Sequence, residues 1–117
     1  MSETLSTKRC RFTSQLARLV VWAESQGLKV ALDQVKRTQI EADANEASDL
    51  GISNSLHRLG LAADILLYRN GIYQAHTEDY HSLGVYWESL SPDARWGGRF
   101  SPKPDGDHFS LEHNGVK

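Results

Sequence analysis

Two short stretches of the chain concentrate the residue types that bind and activate metal ions. Ser55 to Asp64 reads S-x-H-x-x-G-x-A-x-D, and near the other end Asp105-Gly106-Asp107-His108 sets an acid three residues ahead of a second histidine. Two imidazoles and one carboxylate, from His57, His108 and Asp64, would give one tetrahedral Zn²⁺ three protein ligands and leave a position for water. That is the arrangement of catalytic rather than structural zinc. A carboxylate outside the ligand set can act as general base on that water, while the metal brings the water's pKa towards about 7. Asp105 is placed for the base role. Asp107 adjoins His108, so strand alternation sends it to the opposite face, and it is expected to be solvent-facing or a turn acid.

Each of these residues also has a plainer reading. A single loop histidine is usually a surface residue, and an Asp-Gly pair is usually a turn. Asp64 is harder to dismiss, because an acid inside the apolar run Leu61 to Tyr68 must be paired, hydrogen-bonded or metal-bound. A salt bridge to Arg37 or Arg58 is its structural alternative. His76 and His81 read as surface residues and His113 as a residue of a mobile terminus, so all three stay outside the site.

The elements that must carry these residues follow from periodicity. Leu16, Leu19, Val20 and Ala23 predict an amphipathic helix from about Thr13 to Gln26, started by Thr13 or Ser14 and stopped by Gly27. Leu28 to Val35 predicts a strand ending near Arg37, and Gln39 to Asp49 a surface helix. Leu61 to Tyr68 predicts a strand that turns at Asn70-Gly71, the dipeptide suited to a type I′ hairpin, and returns at Ile72 to Gln74. Alternation places Ala62, Asp64 and Leu66 on one face and Leu61, Ala63 and Ile65 on the other. Tyr80, Leu83, Trp87 and Leu90 predict a second core helix from Thr77 to Leu90, followed by short strands at Trp96 to Phe100 and His108 to Leu111. Helices and antiparallel strands in mixed order make an α+β fold, a small antiparallel sheet packed with helices, as one domain over residues 1–117.

Composition narrows the function. With 13 Lys and Arg against 15 Asp and Glu, mixed along the chain, no electrostatic footprint for nucleic acid is present. The one cysteine, Cys10, excludes an internal disulfide and a cysteine-based zinc site. Met1 to Arg11 is polar and basic rather than apolar, and no apolar run nears the roughly 20 residues of a membrane span. The expectation is a soluble monomer made in the cytoplasm without a signal peptide.

On the complete S-x-H-x-x-G-x-A-x-D match, the chain resembles the zinc peptidase superfamily that includes D-alanyl-D-alanine dipeptidases and carboxypeptidases, phage and bacterial L-alanyl-D-glutamate endopeptidases, and the hedgehog signalling domain. Trp96-Gly97-Gly98-Arg99-Phe100, followed by Asp105-x-x-His108-Phe109, resembles the W-G-G-x-[WF] and D-x-x-H-F ending of the L-alanyl-D-glutamate branch. The resemblance implies a hedgehog/D,D-peptidase-like fold and one Zn²⁺ on His57, Asp64 and His108. It implies Asp105 as base, and Arg37, in Val35-Lys36-Arg37-Thr38, as the strand-end arginine that steadies the oxyanion. Ser55 would support the loop or a polar group of the substrate. Trp96 with Gly97 and Gly98 would form a cleft wall, its alternative being a core tryptophan beside a bulge. Ser110 departs from relatives with an acid after His-Phe, and the base is Asp where the dipeptidases have Glu.

The implied activity is that of a phage endolysin: hydrolysis of the L-alanyl-D-glutamate bond in the peptidoglycan stem peptide, reached after release during lysis. The rivals are a D-alanyl-D-alanine carboxypeptidase or dipeptidase, a zinc-bearing binding module without turnover, and a protein whose acids and histidines are surface decoration.

Overall fold

The computed structural model describes residues 3–33 and 56–117. Helix α1 spans Leu5–Ser25, strand β1 Lys29–Leu32, a one-turn helix α2 Leu56–Leu59, β2 Ala62–Arg69 and β3 Ile72–Gln74. A 3₁₀ turn over Thr77–Tyr80 leads into α3, His81–Glu88; β4 is Ala94–Trp96, a 3₁₀ turn covers Gly97–Arg99, and β5 is His108–Leu111. The expected α+β architecture is present. All strand pairs are antiparallel, and the sheet runs β1-β2-β5-β4 with β3 also on β2.

β2 is the strand on which the sheet is assembled. Ile65 to Tyr68 pair with β1, Leu67 to Arg69 with β3, and Ala62 to Asp64 with β5. Its odd positions Ala63, Ile65 and Leu67 are fully buried, while Asp64 and Leu66 are only partly so, as alternation predicts. The core joins those positions and Phe109 and Leu111 of β5 to Phe12, Leu16, Leu19 and Ala23 of α1 and to Leu83 and Trp87 of α3. Trp87 stands edge-on to both Phe12, at 5.7 Å, and Phe109, at 6.0 Å, so one indole ties both helices to β5. The hairpin turn has Asn70 at φ 52° and Gly71 at φ 78°, as a type I′ turn requires.

Three boundaries differ from the sequence expectation. α1 begins at Leu5 rather than Thr13, capped by Thr4, whose hydroxyl accepts from the Thr7 amide at 3.1 Å. Its first turns lack an apolar stripe because their polar side chains bind distant backbone and acids. Lys8 Nζ donates to the Glu112 carbonyl at 2.5 Å, Arg9 Nε to the Leu59 carbonyl at 2.6 Å, and Arg11 forks onto both Asp93 oxygens at 3.0 and 2.6 Å. The predicted strand Trp96 to Phe100 ends at Trp96, because the Gly97 carbonyl turns out of the ladder to accept from the Phe100 and Asp105 amides. The second core helix starts as a 3₁₀ turn over Thr77–Tyr80 and ends at Glu88. The expected helix Gln39 to Asp49, and the end of the strand near Arg37, lie outside the described residues.

The Arg11 guanidinium holds the Asp93 carboxyl down at about 2, with Ser91 also donating to it and burial opposing. A carboxyl lowered in the folded state adds stability above its ordinary value of 3.8 and loses that contribution as pH falls through about 2. Asp93→Asn should therefore lower Tm at neutral pH, with the gap to the parent closing between about pH 4 and pH 2, as thermal denaturation across pH would read.

Candidate metal centre and active site

The register of the sheet sets two side chains of metal-ligating type face to face. Asp64 of β2 pairs directly with His108, the first residue of β5, so both side chains leave the same face, opposite to the one that carries Ala63 and Phe109. His57 comes from α2, whose neighbour Leu56 is buried in the core and whose end is tied to α1 by the bond from Arg9 to Leu59. His57 Nε2 stands 3.3 Å and His108 Nδ1 3.6 Å from the same oxygen, Asp64 Oδ1. The two rings lie 5.4 Å apart at 68°. Both histidines are buried and Asp64 is mostly so. Burial disfavours the Asp64 charge, but the flanking His108 and His57 rings outweigh it and hold the carboxyl well below the usual carboxylate range.

These residues fit a metal ion better than a hydrogen-bonded triad. Asp64 Oδ1 is buried with no hydrogen-bond partner among the described residues, although imidazole nitrogens stand close to it. Buried polar atoms in native proteins nearly always have a partner. Donors bound about 2.0–2.1 Å from a tetrahedral ion stand about 3.3–3.4 Å from one another, close to the 3.3 and 3.6 Å separations around Oδ1. One ligand atom from each of His57, Asp64 and His108 lies within 4.8 Å of the others.

The loop before β5 brings two more acids. Oxygens of Asp105 and Asp107 also fall within 4.8 Å of Asp64 and of each other. Asp105 is exposed, whereas Asp107 is half-buried, and burial together with the Asp105 side chain beside it pushes the Asp107 carboxyl well above the usual carboxylate range. The loop is fixed by its backbone: Asp105 N donates to the Gly97 carbonyl at 2.8 Å, His108 N to the Asp105 carbonyl at 3.1 Å, and Ile65 N to the Asp107 carbonyl at 2.8 Å. A Cβ at position 97 would collide with the Asp105 carbonyl oxygen and crowd His108 Cβ, so the close approach requires glycine there.

A peptidase M15 family pattern, described as D-alanyl-D-alanine carboxypeptidase, matches residues 50–111, more than half of the chain, and its span takes in His57, Asp64, Asp105 and His108. The chain belongs to the M15 peptidases. No curated protein matches the M15 chain. Among solved structures it is similar to the L-Ala D-Glu endopeptidase ChiX of Serratia marcescens, with a TM-score of 0.71 and 19% identity over 85% of this chain and 79% of that one. At that identity the likeness shows the fold.

In this M15 peptidase His57, Asp64, His108 and Asp105 converge, while Arg37 and Ser55 lie outside the described residues. Asp64 meets the two histidines, while Arg37, one of the two arginines offered as its structural alternative, lies outside the described residues. Asp107 is a turn acid, one of the two places expected for it: β5 begins only at His108, and Asp107 lies half-buried in the turn before it. Trp96 is not an open cleft wall, being 4% exposed, with its indole N–H donating to the Gly106 carbonyl at 2.7 Å. The partly exposed aromatic beside the centre is instead Phe100, 5.4 Å from the His108 ring. Its place at the end of the W-G-G-R-F run was the available signal.

A divalent transition-metal ion should bind the folded chain alone and so raise the Tm of metal-free protein with increasing concentration. His57→Ala combined with His108→Ala should abolish the rise in a thermal-shift titration. A parent Tm indifferent to metal would contradict the donor set.

Proposed function

We propose that this peptidase is zinc-dependent and cleaves the L-alanyl-D-glutamate bond of the peptidoglycan stem peptide. The observation that carries the reading is the convergence of His57, Asp64 and His108 on one point, with the exposed Asp105 carboxylate beside it. Two imidazoles and one carboxylate, without cysteine, suit zinc with a position left for water. When bound there, zinc supplies Lewis-acid polarisation of the scissile carbonyl and a lowered pKa for its water.

The chain's own groups account for the rest. Asp105, outside the ligand set and open to solvent, accepts the proton of the attacking water and passes it to the departing amine. Arg37 meets the oxyanion, a role for which a permanently charged guanidinium with paired donors is suited. Ser55 supports the His57 loop or a polar group of the substrate. Phe100 and the open side of the centre accept the stem peptide. The choice of bond rests on the W-G-G-R-F run followed by D-x-x-H-F. The family description favours a second reading, a carboxypeptidase releasing D-alanine from D-alanyl-D-alanine.

The further assignments belong to the same reading: one peptidase domain over residues 1–117, a monomer, and an endolysin made as a soluble cytoplasmic protein that reaches the wall during phage lysis. No helix among the described residues is long and apolar enough to cross a membrane. Net charge of -2 offers no attraction for nucleic acid.

Digestion of purified peptidoglycan should expose new α-amino groups on D-glutamate and release no free D-alanine. D-alanine as the main product would move the chain to the carboxypeptidase reading with the same centre. Asp105→Asn should lower turnover by about 10²–10⁴-fold while zinc content, read by metal analysis, stays at one per chain. Asp107→Asn should cost much less, and the reverse pair of phenotypes would make Asp107 the base.

A further inference from the structure

We propose that Trp96 is a positioning residue: its indole N–H latches the Asp105–His108 loop and so fixes the distance between the base and the third metal ligand. The proposal rests on the reading of Asp105 and His108 given above, and it assigns the W-G-G run to the loop rather than to the substrate.

The geometry around the ring leaves it one task. Trp96 ends β4, pairs with Phe109, and lies on the helix side of the sheet, while the next residue of β5, His108, points to the metal side. Gly84 of α3 and Gly98 of the following 3₁₀ turn both abut the indole, and a Cβ at either position would collide with ring atoms. The ring is thus clamped, 4% exposed, with no surface free to meet a peptide. A buried indole N–H needs an acceptor, and the one it has is the Gly106 carbonyl at 2.7 Å, in the middle of Asp105-Gly106-Asp107-His108. Gly106 is itself pressed against Thr77, where a Cβ would crowd the Thr77 backbone. Among the described residues the loop therefore has three anchors: the Gly97 carbonyl on the Asp105 amide, the Trp96 indole on the Gly106 carbonyl, and the Ile65 amide on the Asp107 carbonyl. Of these the indole is the only side chain, hence the one that substitution can remove while the backbone stays intact. Groups that orient metal ligands from behind typically change metal affinity or activity about 10–100-fold when lost.

Trp96→Phe retains an aromatic ring and removes the N–H. In the metal-free protein, hydrogen exchange should show loss of protection at the Asp105 and His108 amides, while the Leu67 amide, bonded to Tyr80 Oη, stays protected. Zinc affinity should fall about 10–100-fold, and in the loaded enzyme kcat should fall with KM within about twofold. Should Trp96→Phe fail to fold, Trp96→benzothienylalanine, which keeps the bicyclic shape without the N–H, gives the same readout. Parental loop protection in either variant would overturn the proposal, as would a loss of protection spread evenly over the sheet. Because exchange is measured without metal, the latch is tested even if the parent proves to cut another bond or none, an outcome that would reject the functional reading alone.

Discussion

A carboxylate on the central strand of a sheet is the constraint around which this molecule is arranged. Asp64 sits on β2, the strand shared by β1, β3 and β5, with most of its side chain withdrawn from water. A carboxylate left alone there would cost several kcal/mol in lost hydration, so the fold must bring it partners or a cation. It brings two imidazoles by separate routes. The β2–β5 register delivers His108, and α2, seated by Leu56 and by the Arg9 bond to Leu59, delivers His57. Neither ring satisfies Asp64 Oδ1 with a hydrogen bond, which leaves the three donors arranged around a common point.

Division of labour between the two faces of the sheet follows from strand alternation. Ala63, Ile65 and Phe109 take the helix side and supply burial; Asp64 and His108 take the other, where the candidate metal ligands gather. Core packing and the candidate site therefore fall on alternate residues of the same strands. α1 links the two functions, since its apolar stripe packs in the core while Lys8, Arg9 and Arg11 hold the end of β5, the end of α2 and the entry to β4. The Asp105–His108 turn sits between the sheet and the 3₁₀ turn after β4 and takes its shape from both.

What could be read from the sequence was what depends on local pattern and on residue chemistry. His57, Asp64 and His108 were legible because an acid in an apolar strand and two motif-spaced histidines are chemically conspicuous; the hairpin was legible from Asn70-Gly71, and β5 from His108 to Leu111. What was not legible depends on partners far away in the chain. The first two turns of α1 look like polar coil because their partners stand about a hundred residues off, at Asp93 and Glu112. Trp96 beside two glycines reads equally as an open wall or a clamped ring, and only the packing of Gly84 against it decides. Asp107 was legible only as solvent-facing or a turn acid, and the start of β5 at His108 decides for the turn. Arg37 and Ser55 rest on motif resemblance alone.

The central claim is that His57, Asp64 and His108 together hold zinc with a position open to water. X-ray absorption spectroscopy of the zinc-loaded protein tests it most directly, because it reads ligand type and distance around the ion itself. The account predicts a four-coordinate ion with two imidazole nitrogens and two oxygens, all at about 2.0–2.2 Å. A spectrum with one imidazole or none, or one unchanged by His57→Ala combined with His108→Ala, would contradict it.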